Sequence, residues 1–132
     1  NNKECCLKLT NQNKYCYSAQ CYETSKLMAE RMNLDAENWS VSFQSRFGRE
    51  EWVKPYTEPH LEELAKGGVK RVVVFCPSFV ADCLETLEEI GIQAAEHFRK
   101  CGGEELILVP SLNDHPEWIK SLTSIIRKQL SC

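Results

Sequence analysis

Three carboxylates, Asp82, Glu85 and Glu89, stand at i, i+3 and i+7 within the segment 80–100. On a helix that spacing puts them on one face, joined a turn later by Gln93 and nearby Glu96. A line of carboxylates could conduct a divalent cation, since hard oxygen ligands suit Fe2+ and Mg2+. Like-charged neighbours would also hold some of these carboxyls protonated, which suits proton exchange. A solvated acidic face has the same spacing, and acids near a helix start are favoured by the macrodipole in any case. Spacing alone leans to that plainer reading.

A second group is sulfur. Cys5, Cys6, Cys16 and Cys21 form the pattern CC-x9-C-x4-C, four of the chain's 8 cysteines. The pattern departs from the common C-x2-C zinc spacings, yet four thiolates this close can complete a tetrahedral zinc site or an iron–sulfur cluster. Reduced thiols in a loose segment are the alternative. A third group lies in the loop 46–56, where Arg46, Gly48, Arg49, Trp52, Lys54 and Tyr56 mix cations with large aromatics. Such a loop could hold a flat, carboxylate-bearing ligand by stacking and ion pairing, or could be a surface loop with Trp52 packed on the core. Asn113, Asp114 and His115 read as a helix-cap sequence. His60, His97 and His115 occupy surface-like positions, and neither a phosphate-binding glycine loop nor a Ser-His-Asp arrangement is present.

The elements that must carry these groups follow from hydrophobic period and punctuation. Residues 1–15 are polar and read as a cysteine-containing loop, and 16–132 as one α/β lobe. A helix is expected over 17–33 with Ser18 as its cap, then a strand over 39–45 from the alternation of Trp39, Val41 and Phe43. A short helix over 58–66 ends at Gly67-Gly68, with Thr57 as its cap. The β-branched run VVVF within 69–76 suits a strand buried on both faces. A long helix over 80–100 stops at Gly102-Gly103, and 106–109 is a short buried strand. Asp114 caps a last helix whose core face is Trp118, Leu122, Ile125, Ile126 and Leu130. The alternation predicts a short parallel sheet flanked by helices, thin at three strands, with a first strand missing upstream. Ligands in such sheets bind beyond the carboxyl ends of the strands, where 45–57, 77–85 and 110–115 converge.

The 132 residues are 42% hydrophobic and 27% charged, ordinary for one globular domain. A net charge of −3 gives no reason to expect nucleic acid. No stretch reaches the roughly 20 apolar residues of a membrane span. The chain starts at Asn1 without a Met and is expected to be truncated or processed; the expected setting is the cytoplasm, where structural disulfides are rare. Peripheral membrane association leaves no readable mark in the sequence.

The runs SVSFQSRFGREEWVKPYT (40–57), CPSFVADCLETLEEI (76–90) and LVPSLNDHPEW (108–118) resemble, in order and separation, three blocks of bacterial ferrochelatase. CYSAQC (16–21) is similar to the segment before the first block. The resemblance implies the second of two Rossmann-like lobes that enclose a porphyrin, chelatase-like in fold. It implies insertion of Fe2+, the metal substrate, into protoporphyrin IX to give haem, with the missing N-terminal lobe as the chain's necessary partner. By resemblance Glu85 is the catalytic carboxylate for metal delivery or porphyrin protons, Asp82 and Glu89 are its metal-facing companions, and Trp52 and Arg46 face the porphyrin. The family's active-site histidine would sit on the missing strand, so the isolated chain is expected to be inactive. Cys83 stands where many relatives have histidine, and Gln93 where an acid is common. Some bacterial members carry a four-cysteine segment binding a 2Fe–2S cluster, which Cys5, Cys6, Cys16 and Cys21 resemble. Competing readings are a chelatase for another metal or tetrapyrrole, such as cobalt, and a non-catalytic lobe that binds haem or a cluster.

Overall fold

A computed structural model describes residues 3–6, 8–44 and 51–130. The chain divides into two compact units, Asn1–Leu64 and Ala65–Cys132.

In the first unit a 3-10 turn, Lys3–Cys6, lies against helix α1, Tyr17–Arg31. Cys16 is the residue before α1 and gives no side-chain cap, so the expected Ser18 cap is not used. Phe43 is buried and receives the rings of Tyr17 and Tyr22 at 6.3 and 6.0 Å between centroids. Of the strand expected over 39–45, the described residues 39–44 show one parallel bridge, between Phe43 and Tyr56. Alternation supplies a face for a strand, but a strand also needs a neighbour along its length. Helix α2, Thr57–Lys66, begins just after that bridge, and the Thr57 hydroxyl sits 3.1 Å from the Ser42 hydroxyl.

The second unit is built on a two-stranded parallel sheet. Strand β1, Arg71–Val74, pairs with β2, Glu105–Leu108, with Val72 opposite Leu106 and Val74 opposite Leu108. Between them runs a π-helix, Glu85–Ala94, continuing as helix α3, Ala95–Lys100. The expected helix is therefore present, but it opens later and wider than an α-helix. Its i→i+5 bonding is rare and, where found, frequently marks a functional site. Gly91 lets this helix approach β2 closely: a Cβ there would stand 3.3 Å from Leu108 Cδ2. Ile90, Thr86, Ala94, Ala95 and Phe98 form the buried side. At the end of α3, Gly102 adopts φ +106° and the Gly103 N–H bonds the Phe98 carbonyl, a left-handed stop that fulfils the glycine-pair expectation. Gly103 also lies flat on the Phe98 ring, leaving no room for a Cβ.

Two expectations change here. The strands alternate, with Val73 67% and Ile107 46% exposed, so the sheet is covered on one face rather than two. Helix α4, Pro116–Leu130, keeps its apolar stripe, but none of its residues is buried. A stripe buries only against a second surface, and the covered face of this sheet is taken by the π-helix and α3. The cap of α4 is His115, whose Nδ1 accepts the Glu117 N–H at 3.3 Å, not its neighbour Asp114.

Candidate active site

Parallel pairing of β1 with β2 brings the two loops that follow them to one edge of the sheet, the edge at which ligands bind in such folds. The Val109 N–H reaches the Val74 carbonyl at 2.8 Å, so the pairing extends one step past the strands. Beyond it the first loop leads through Val80 and Asp82 into the π-helix, and the second through Ser111 and Asn113 towards α4.

Asp82 locks these loops together. Its Oδ2 accepts from Asn113 Nδ2 at 2.8 Å, and its backbone N–H donates to Asn113 Oδ1 at 2.9 Å. Its Oδ1 accepts from the Ser111 N–H at 3.1 Å and lies 3.2 Å from the Thr86 hydroxyl. Thr86 is fully buried and accepts the Cys83 N–H at 3.0 Å, which fixes the first turn of the helix from within. Hydrogen bonds from Asn113 and then Ser111 hold the Asp82 carboxyl below its ordinary range. Glu85 shifts the same way, first through a hydrogen bond from the Cys83 side chain and then through its own backbone N–H. The expectation that crowding would keep some carboxyls protonated is thus reversed at both: donors aimed at the charged form outweigh the cost of desolvating it. Burial pushes the Cys76 thiol up, helped by Cys83 and Asp82.

Glu85 and Glu89 are half-buried, and Gln93 is exposed. The π-helix changes their relation. A turn of a little over four residues, instead of 3.6, stacks residues four apart almost in line, so Glu85, Glu89 and Gln93 make a straighter file than an α-helix would give. Asp82 precedes the helix and is not part of that file. Glu96 lies on α3 and pairs with Lys100 at 3.6 Å on the surface.

The other groups sit in the first unit. Trp52 is 41% exposed, and Lys54 places its ammonium 5.7 Å from the Tyr56 ring centre and 3.0 Å from Glu51. Arg46, with Gly48 and Arg49, lies outside the described residues. Cys5 and Cys6 bring their sulfurs to 3.8 Å, and the Cys6 thiol raises the Cys5 thiol above its ordinary value by hydrogen bonding. Cys16 and Cys21 stand at the start of α1. No three of these four sulfurs lie within 4.8 Å of one another among the described residues.

Reading the sequence missed Asn113 as a partner of Asp82. Its only advance signal is that a parallel pair must bring the loops after β1 and β2 together.

A family model described as Ferrochelatase matches residues 6–130. The chain belongs to the ferrochelatase family. Among curated ferrochelatases, that of Pseudomonas fluorescens (strain Pf0-1) is 60% identical over 113 residues, 86% of this chain and 33% of the relative. That of Legionella pneumophila (strain Corby) is 53% identical over 125 residues, 95% of this chain and 38% of the relative. That of Coxiella burnetii (strain Dugway 5J108-111) is 49% identical over 130 residues, 98% of this chain and 37% of the relative. The chain thus spans little more than a third of the ferrochelatases it matches. No helix among the described residues is long and apolar enough to cross a membrane.

Proposed function

We propose that the full-length polypeptide carrying this chain inserts Fe2+ into protoporphyrin IX to give haem, and that this chain supplies the metal-facing carboxylates. The carrying observation is that Glu85 stands in a π-helix opening at the carboxyl edge of the sheet, held in its charged form, in a ferrochelatase-family chain. An ionised carboxylate is a hard oxygen ligand suited to Fe2+, which favours a role in delivering the metal. Glu89 continues the file, and Asp82 stands beside it as the companion carboxylate, its oxygens held by Asn113, Ser111 and Thr86. Insertion releases two pyrrole protons as Fe2+ bonds all four ring nitrogens, two of which lose their N–H bonds; with Glu85 ionised, those protons pass to solvent or to the missing lobe. Trp52 and Arg46 face the macrocycle in this reading, stacking on it and pairing with a propionate. The missing N-terminal lobe closes the porphyrin cleft, and the setting is the cytoplasm.

A 2Fe–2S cluster fits the cysteines in one respect. Two thiolates bonded at about 2.3 Å to a tetrahedral metal stand about 3.8 Å apart, and Cys5 and Cys6 have that separation. Cys5, Cys6, Cys16 and Cys21 would hold it, and it would supply a cross-link between the 3-10 turn and α1.

The test is iron insertion by the full-length polypeptide, with Co2+ competing in the same assay. Glu85→Ala is expected to abolish insertion while the protein stays folded. Normal turnover by that variant removes Glu85 from the mechanism, and a preference for Co2+ moves the enzyme to another chelatase class.

A further inference from the structure

The geometry points to Asn113 as the positioning residue for Glu85: it acts through Asp82 to fix the opening of the π-helix. This inference rests on the reading of Glu85 as a metal ligand.

Glu85 is bracketed by two fixed residues. Thr86 on one side is buried and bonded to the Cys83 N–H, with the Asp82 carboxylate within reach of its hydroxyl. Asp82 on the other is gripped at both main chain and side chain by one asparagine. Only an amide can do this, because it must accept from the Asp82 N–H with Oδ1 and donate to the Asp82 carboxylate with Nδ2. The backbone is set to match. Asn113 holds φ +47°, a left-handed conformation that asparagine tolerates better than most residues, and its N–H is bonded to the Val80 carbonyl at 2.9 Å. Asn113 Nδ2 also lies 3.2 Å from the Ser111 carbonyl, so the amide orientation is fixed twice. The loop after β2 thereby sets where a helix after β1 begins, 31 residues away in sequence. No atom of Asn113 need touch metal or porphyrin for this to matter.

The test is a charge-preserving exchange in the full-length polypeptide. Asn113→Asp sets two carboxylates face to face and opens the grip. Asp82→Asn sets two amides face to face. The double exchange restores one donor and one acceptor with the same total charge. Each single variant is expected to raise the KM for Fe2+ about tenfold, the KM for porphyrin staying within twofold, since misplacement of a ligand weakens capture without removing it. The double variant recovers most of that loss, which a general loss of folding would not do. Single variants with unchanged Fe2+ KM, or a double variant as poor as the worse single, overturn the proposal. Mn2+ affinity of the same proteins, measured without porphyrin and with Glu85→Gln as reference, separates this from the enzyme reading. If the parent inserts no iron but binds Mn2+ through Glu85, weakened by Asn113→Asp and regained in the exchange, the positioning role stands and only the reaction is wrong. A parent without Glu85-dependent Mn2+ binding overturns both.

Discussion

Asn13 and Asn113 each hold a loop beside a cluster of ligand-type side chains, but they grip different things. Asn13 Oδ1 accepts from the Thr10 N–H at 2.6 Å and the Thr10 hydroxyl at 3.0 Å, and its Nδ2 donates to the Cys5 and Lys8 carbonyls. It shapes the main chain under the cysteines and touches no sulfur. Asn113 grips a carboxylate of the acidic cluster itself. The acidic helix is therefore set by the protein's own hydrogen bonds, whereas of the four cysteines only Cys5 and Cys6 have sulfurs in contact. A site that the fold completes can capture a transient cation; a site drawn from backbone turns depends on a resident group to converge its ligands.

The largest effect that would break this contrast lies on the sulfur side. Cys5→Ser or Cys21→Ser is expected to remove all visible cluster absorbance from iron- and sulfide-loaded protein, while Glu85-dependent Mn2+ affinity changes less than about twofold. Loss of both together would make the two clusters one site. A smaller effect separates Asp82 from its surroundings by pH. Its carboxyl is held below the ordinary 3.8, so its contribution to stability is complete above that value and fades as pH falls through its lower folded value. The melting temperature of Asp82→Asn should then lie below the parent at about pH 7, and the gap should close below about pH 4. A gap as wide in acid as at neutrality would mean the carboxylate is not what binds the loops. The smallest effect belongs to Asn13→Ala, whose lost bonds are all exposed: less than about 1 kcal/mol in urea unfolding. A larger loss than for Asp82→Asn would invert the comparison.

How far these sites can be read in advance differs residue by residue. β1 follows from a β-branched run and β2 from a short apolar run, each between glycine and proline, and the end of α3 from Gly102-Gly103, because local sterics decide them. The alternation of helices and strands carried the parallel pairing, and the ferrochelatase blocks singled out Glu85. The segment 39–45 alternates correctly, but among its described residues, 39–44, only Phe43 bridges. The π-geometry at Glu85–Ala94 is a hydrogen-bond shift that composition does not encode. Asn113 looked like part of a cap because its partner is distant in sequence, while His115, two residues on, does the capping.

The central claim is that an ionised Glu85, set at the opening of the π-helix, receives the iron. It is tested most directly by the initial rate of Fe2+ insertion in full-length Glu85→Gln, which keeps the shape of the side chain and removes its charge. The predicted result is a fall of at least about a hundredfold, with an unchanged melting temperature and porphyrin KM. A rate within about twofold of the parent would contradict it.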